Sequence, residues 1–198
     1  MARTAEANQR LREAQRTKIL QSASRVFARL GRAATMADVA AEAAVSQGLA
    51  YRYFASKEAL LQALVEQAIL SDPIGLPSFL EMEGSPGERL ALLISHLWES
   101  RCQHPEFYQL FDQVQCDEAT PADLREVIRK RGQTFYDVMR QLIVEGQASG
   151  EIAAGNPAQL ITAVAACLEG VTRFALRDPQ QFKASCPDAR LLLRMFKP

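Results

Sequence analysis

Residues 35–57, TMADVAAEAAVSQGLAYRYFASK, decide how the amino-terminal part folds. Thr35 followed three residues later by Asp38 is a capping-box start. The hydroxyl accepts an otherwise orphaned backbone N–H, and the carboxylate suits the positive end of a helix. Val39, Ala40 and Ala43 then recur at helical spacing, and their small size lets a second backbone approach closely. Ala44-Val45-Ser46 makes a turn, with Ser46 placed to cap a second helix. On that helix Ala50 and Phe54, four apart, share the inward face. Gly48 and Arg52 face the other way, with Gln47 and Tyr51 on one shoulder and Leu49 and Tyr53 on the other. A short helix with a small, polar and aromatic outer face suits the DNA major groove. Gln47 is the residue best suited to read a base, because its amide pairs with N6 and N7 of adenine. Ser56-Lys57-Glu58 opens a third helix, whose first amides and Lys57 ammonium can hold a phosphate. The pattern is a helix-turn-helix.

The order Thr35, Asp38-Val39-Ala40, Val45-Ser46, Gly48, Tyr51-Arg52-Tyr53-Phe54 and Lys57-Glu58-Ala59-Leu60 resembles the DNA-binding domain of the TetR (tetracycline-repressor) family. The resemblance is motif-specific over roughly residues 14–70 and architectural beyond. It implies that Thr35, Ser46, Gln47, Gly48, Tyr51, Tyr53 and Lys57 face DNA, and the outward Arg52 joins them. Two positions depart from the family's pattern. Ala44 stands where the family often has glycine, and a left-handed alanine there costs roughly 1 kcal/mol. Ala50, with Leu49 beside it, stands where a leucine usually precedes the tyrosine.

Around this motif, Met1 to about Leu11 is polar and reads as a mobile arm, with Arg3, Arg10 and the adjoining Arg12 available to phosphates or a minor groove. From about Arg12, the positions Ile19, Ala23, Val26, Phe27 and Leu30 form one helical stripe that ends at Gly31, a natural left-handed stop. Leu60, Leu61, Leu64, Val65, Ala68 and Ile69 carry the third helix of the motif to about Leu70, where Asp72-Pro73 breaks it. The expected domains are 1–70, with 1–11 as the arm, and 71–198.

The net charge of zero conceals an asymmetry. Residues 1–60 hold ten Lys/Arg against five acids, a net of +5, leaving thirteen against eighteen, a net of −5, in 61–198. A basic head on an acidic body turns the head towards a polyanion. No run of about 18 apolar residues suggests a membrane span, and Met1 to Lys18 lacks an apolar signal segment, so a cytoplasmic protein is expected. Cys102, Cys116, Cys167 and Cys186 show neither close pairing nor zinc-finger spacing and read as reduced thiols.

The second part repeats one punctuation mark. Ser85-Pro86-Gly87-Glu88, Thr120-Pro121-Ala122-Asp123 and Asn156-Pro157-Ala158-Gln159 each supply a cap, proline at the first helical position and an acid or amide two residues on. Ser185-Cys186-Pro187-Asp188 is a looser version. Helices are expected over 86–103, 105–116, 121–148, 157–177 and 187–196, and no segment alternates with period two. The fold class is therefore all-α: a three-helix helix-turn-helix domain followed by a helical ligand-binding and dimerisation domain. In the last long helix, Leu160, Ile161, Val164, Leu168, Val171 and Ala175 form one stripe and Ala163, Ala166, Cys167 and Gly170 a second, small-residue face. A helix apolar nearly all round is buried all round, which points to a partner subunit on the second face. The family resemblance implies the same, a two-fold dimer.

Trp98, Cys102, Phe107, Tyr108, Phe111, Phe135, Met139 and Phe174 either fill the core or line an apolar small-molecule pocket, and the resemblance implies that some ligand cavity exists. Arg131, at helical spacing between Ile128 and Phe135, would anchor an anionic ligand or form an internal ion pair. His96, Glu99 and Cys102, three apart, drift around a helix and match no strong metal pattern, so neither metal nor cofactor is expected. No nucleophile–base–orienter set or phosphate-cradling glycine loop emerges, which argues against an enzyme. The reading that results is a ligand-responsive transcriptional regulator, a repressor released from a palindromic operator by a small molecule. A helical adaptor or enzyme on the same fold, without DNA binding, is the alternative.

Overall fold

The computed structural model describes residues 5–70, 75–116 and 120–198. Arg3, the expected break at Asp72-Pro73, and the side chains of Ala68, Ile69 and Cys116 lie outside what is described. Among the described residues every regular element is helical: α1 (Ala5–Leu30), α2 (Met36–Glu42), α3 (Gln47–Tyr53), α4 (Lys57–Leu70), α5 (Ser78–Glu81), α6 (Pro86–Gln103), α7 (Pro105–Cys116), α8 (Ala122–Ala148), α9 (Pro157–Arg177), α10 (Pro179–Ser185) and α11 (Ala189–Leu193), with 3₁₀ turns at 31–33 and 194–196. The chain divides into two compact units, 1–71 with 110–125, and 72–109 with 126–198.

In the first unit α1 packs on α2 and α4, and α2 on α3. Ile19, Ala23, Val26 and Phe27 are buried as the stripe requires, together with Val39, Ala40, Ala43, Ala50, Phe54, Leu60 and Leu64. Leu30 departs from the expected stripe and is 39% exposed, because Gly31 (φ 53°) turns the chain away immediately after it. The first helix also begins at Ala5 rather than near Arg12, so residues 5–11, expected as an arm, are helical. Residues 5–14 hold three alanines, a leucine and glutamates among good helix formers, and Gln9 donates to Glu13 one turn on at 2.8 Å. This segment needs no apolar stripe to be helical.

In the second unit α6 packs against α9 and α11, α10 against α9, and α5 against α6. Leu90, Leu93, Ile94, Leu97 and Trp98 of α6 meet Val138, Met139, Leu142 and Ile143 of α8 and Ile161, Val164, Leu168 and Val171 of α9 in one core. Two of the three repeated caps form as read, whereas α8 starts at Ala122, after Pro121 rather than on it. Ser85 and Glu88 make a reciprocal capping box, and Asn156 accepts the Ala158 amide at 2.9 Å. The same mark occurs once more at Asp178-Pro179, where Asp178 accepts the Gln181 amide and starts α10, a helix absent from the sequence reading. The last expected helix, 187–196, resolves into α11, capped by Asp188, and a 3₁₀ turn at 194–196.

Candidate nucleic-acid interface

The helix-turn-helix is assembled by its own short-range hydrogen bonds. Thr35 and Asp38 form the full capping box at the start of α2. The hydroxyl donation from Thr35, followed by its amide donation, holds the Asp38 carboxyl below the usual aspartate range. At the far end the Ala44 amide bonds the Ala41 carbonyl at 3.0 Å and the Val45 amide bonds Ala40 at 2.9 Å. That closure puts Ala44 at φ 51°, the left-handed region expected for this position. Ser46 then accepts the Leu49 amide at 3.2 Å and starts α3.

With both ends of the turn fixed, the direction of each α3 side chain follows. Ala50 and Phe54 are buried at 0% and 4% exposure, facing inward. Ser46, Gln47, Gly48, Tyr51 and Arg52 are exposed, and Leu49 and Tyr53 are half-buried on the shoulder. Thr35 is exposed at the start of α2. The outward face lies open and carries one amide, one phenol and one guanidinium.

The surroundings add positive charge. Arg16 lies over the Phe54 ring at 5.2 Å, so α1 presents a cation on the back of α3. Arg25 and Arg29 share Glu42 of α2 at 2.9 and 3.7 Å, and the carboxyl of Glu42 is held below its ordinary value chiefly by the Arg25 hydrogen bond. Ser56 accepts the Ala59 amide at 3.1 Å and caps α4, whose first residue is Lys57. Lys57 is half-buried, its ammonium 5.8 Å from the Phe27 ring centre. It also lines a cavity of about 130 Å³ within the first unit, with Phe27, Glu58, Leu61, Leu110 and Gln113. This position of Lys57 was not evident from its place at the start of a helix.

The ligand-pocket candidates do not form one set. Trp98 and Met139 sit in the core of the second unit, with Cys102, Phe135 and Phe174 packed against it. Trp98 donates from Nε1 to the Pro187 carbonyl at 2.9 Å, and Phe174 meets Phe182 edge to face at 5.6 Å. Phe107 packs on His104 at 6.1 Å, and Arg131 is half-exposed on α8. Phe111 belongs to the first unit, within 110–125. A separate open cavity of about 410 Å³ in the second unit is lined by Leu90, Ala91, Ile152, Leu193 and Phe196 with Glu88, Glu151 and Lys197, none of which the sequence reading selected. Its walls come from three distant stretches of chain, so no local pattern announces it. On α9 the stripe Ile161, Val164, Leu168, Val171 and Ala175 is buried with Leu160 half-buried at its start, whereas Ala166, Cys167 and Gly170 are exposed and Ala163 half-exposed.

The description "Bacterial regulatory proteins, tetR family" matches residues 19–64, which span the motif from mid-α1 to mid-α4. A second, "Tetracyclin repressor-like, C-terminal domain", matches residues 83–173. The chain belongs to the TetR family. Solved TetR-family and related regulators share its fold along nearly its whole length. The MbdR regulator from Azoarcus sp. CIB is 25% identical with a TM-score of 0.73, over 91% of this chain and 93% of that one. The ketosteroid transcriptional regulator KstR2 of Mycobacterium tuberculosis is 21% identical with a TM-score of 0.76, over 92% and 95%. FadR from Bacillus subtilis, in complex with stearoyl-CoA, is 20% identical with a TM-score of 0.62, over 90% and 96%. No curated protein matches significantly. This TetR-family chain is thus a DNA-binding transcriptional regulator.

Proposed function

We propose that this regulator acts in the cytoplasm as a homodimeric repressor, bound to a palindromic operator and released by a small molecule held in its second unit. The observation that carries the DNA-binding part is the orientation of α3: Ala50 and Phe54 are buried while Gln47, Gly48, Tyr51 and Arg52 are all exposed. Gln47 reads a base edge, Gly48 lets the helix approach, and Tyr51 lays its ring on a thymine methyl or its hydroxyl on phosphate. Thr35, Ser46, Arg52, Tyr53 and Lys57 position the duplex through its backbone.

The dimer reading is supported by α9. Among the described residues it is the one helix long and apolar enough to cross a membrane by length and composition, yet only 33% of its most apolar stretch is buried within the chain. A second copy of α9 over Ala163, Ala166, Cys167 and Gly170 covers this surface and sets two recognition helices on successive major grooves, roughly 34–36 Å apart.

Trp98, Cys102, Phe135, Met139 and Phe174 supply bulky, adaptable apolar surface for an effector, with Phe107 and Arg131 of the same unit as further candidates. The stearoyl-CoA complex and the ketosteroid regulator among the similar structures support an apolar effector. Such a molecule releases the operator only if it binds the DNA-free pose more tightly; equal affinity for both poses shifts nothing. The chain leaves the DNA-binding head through α4, the segment proposed to carry the change.

The test is selection of bound duplexes from a random pool, followed by gel shifts of the recovered site with candidate apolar effectors. A recovered inverted repeat bound by two chains, and lost on adding an effector, is the expected result. A non-repeated site bound by one chain, or operator affinity unchanged by every molecule that binds, overturns the corresponding part of the proposal.

A further inference from the structure

Two cysteines that are 84 residues apart in sequence meet in the second unit. Cys102 lies in the last turn of α6, and Cys186 follows the end of α10; their sulfurs are 3.6 Å apart. The surrounding packing holds them there. The next residue after Cys186 is Pro187, whose carbonyl accepts the Trp98 indole N–H at 2.9 Å, one turn before Cys102 on the same helix. The following helix, α11, packs on α6 through the buried Ala189 and Leu192. Thus both sides of the sulfur pair are anchored in the core, within reach of a disulfide bond of about 2.05 Å by small side-chain rotations.

We propose that Cys102 and Cys186 form a reversible intrachain disulfide when the protein meets a hydroperoxide, tying the end of α6 to the segment between α10 and α11. The two thiols are unequal. Cys186 is exposed, while Cys102 is half-buried. Burial, then the hydrogen bond and charge of Cys186, push the Cys102 thiol up to about 12, so it stays protonated at neutral pH. Cys186 is therefore the sulfur that attacks first. After losing its proton to water, its thiolate takes the distal oxygen of the hydroperoxide and breaks the O–O bond. This leaves a sulfenic acid on Cys186, and the remaining oxygen departs as alcohol, or as water when the oxidant is hydrogen peroxide. The Cys102 sulfur then attacks the Cys186 sulfur and displaces its hydroxyl, which leaves as water with the Cys102 proton. Two thiols lose two electrons, and the hydroperoxide is reduced by the same two. A dithiol such as dithiothreitol reverses the link by exchange.

The experiment treats the full-length protein with a few equivalents of hydrogen peroxide, counts free thiols, and maps linkages by mass spectrometry of a non-reduced digest. Wild type should fall from four thiols to two, with the Cys102 and Cys186 peptides joined, and return to four after dithiothreitol. Cys102→Ser should instead accumulate a sulfenic acid on Cys186, trapped by dimedone, and Cys186→Ser should yield no intrachain link. Cys167→Ser, which starts with three thiols, should fall to one and carry the same Cys102–Cys186 link. Retention of all four thiols, or a link that forms only through Cys167 or Cys116, overturns the proposal. Operator binding plays no part in these readouts, so they stand apart from the function proposed above.

Discussion

Thr35 and Asp38 satisfy each other's backbone. The Thr35 hydroxyl oxygen accepts the Asp38 amide at 3.2 Å, and the Asp38 carboxylate accepts the Thr35 amide at 2.9 Å and the Thr35 hydroxyl at 2.6 Å. The same threonine is a candidate DNA contact, so its two roles need separating. Thr35→Ala removes the cap and should cost about 1 kcal/mol in denaturant unfolding, whereas Thr35→Ser keeps both bonds and should stay within roughly 0.5 kcal/mol. The pH dependence follows from the lowered Asp38 value. A carboxyl depressed on folding contributes in full above its unfolded pKa, and loses that contribution as pH falls through the lower folded one. Asp38→Asn should therefore flatten part of the acid limb of a stability–pH profile, and an unchanged acid limb would count against the box as the cause.

Ala44 carries the left-handed strain of the turn, at φ 51°. Glycine has no Cβ to clash there, and the relief outweighs the entropy that glycine adds to the unfolded chain. Ala44→Gly should raise stability by up to about 1 kcal/mol, measured by chemical denaturation, with DNA affinity unchanged because no DNA-facing group is altered. A loss of stability would show that the alanine methyl makes contacts that offset its strain.

The helix-turn-helix was legible because its determinants are local. Thr35 with Asp38, Ser46 as a cap, and Ala50 with Phe54 on the inward face all act within one or two turns, and each lies where its spacing put it. The α9 stripe was legible for the same reason. What the sequence hid depends on distant contacts or on weak signals. The seven residues of α10 bury only Phe182, too little for a period to show, although Asp178-Pro179 repeats the cap that announces other helices. The start of α1 carries no apolar stripe, so periodicity placed it seven residues late. The approach of Cys102 to Cys186 is set by how α11 packs on α6, which spacing along the chain does not encode.

Gln47 and Lys57 should separate reading from holding. Gln47 is exposed on the open face of α3, whereas Lys57 is half-buried at the start of α4 beside the Phe27 ring. Gln47→Ala should cost about 1–3 kcal/mol at one base pair of the selected site while leaving binding to random DNA nearly intact. Lys57→Ala should weaken all sequences alike and reduce the steepness of the salt dependence by about one counterion. Titrations of specific and random duplexes at several salt concentrations check both. Equal losses on the two duplexes for Gln47→Ala would remove it from the base-reading role, and a salt slope untouched by Lys57→Ala would leave that ammonium to its packing on Phe27.

Gly170 offers the sharpest test of the partner surface. It lies on the exposed side of α9, and a Cβ built there meets nothing within 4 Å of the single chain. A larger side chain at this position therefore disturbs no intrachain packing, and replacing a helical glycine adds up to about 1 kcal/mol of helix propensity. Against a second copy of the same face, however, it places bulk and charge where small residues let two backbones approach. Gly170→Arg should leave helix content and melting temperature as high as wild type at low protein concentration, while shifting sedimentation at micromolar concentration from dimer to monomer. Binding to a palindromic site should then fall steeply, since each half-site holds its recognition helix alone, with single half-site binding little changed. Gly146→Ala serves as the contrasting control: its Cβ would fall 2.7 Å from Cγ1 of the buried Ile152, so it should destabilise the chain itself, by about 1–3 kcal/mol, without a specific effect on assembly. A Gly170→Arg protein that remains dimeric would move the partner surface off this face of α9.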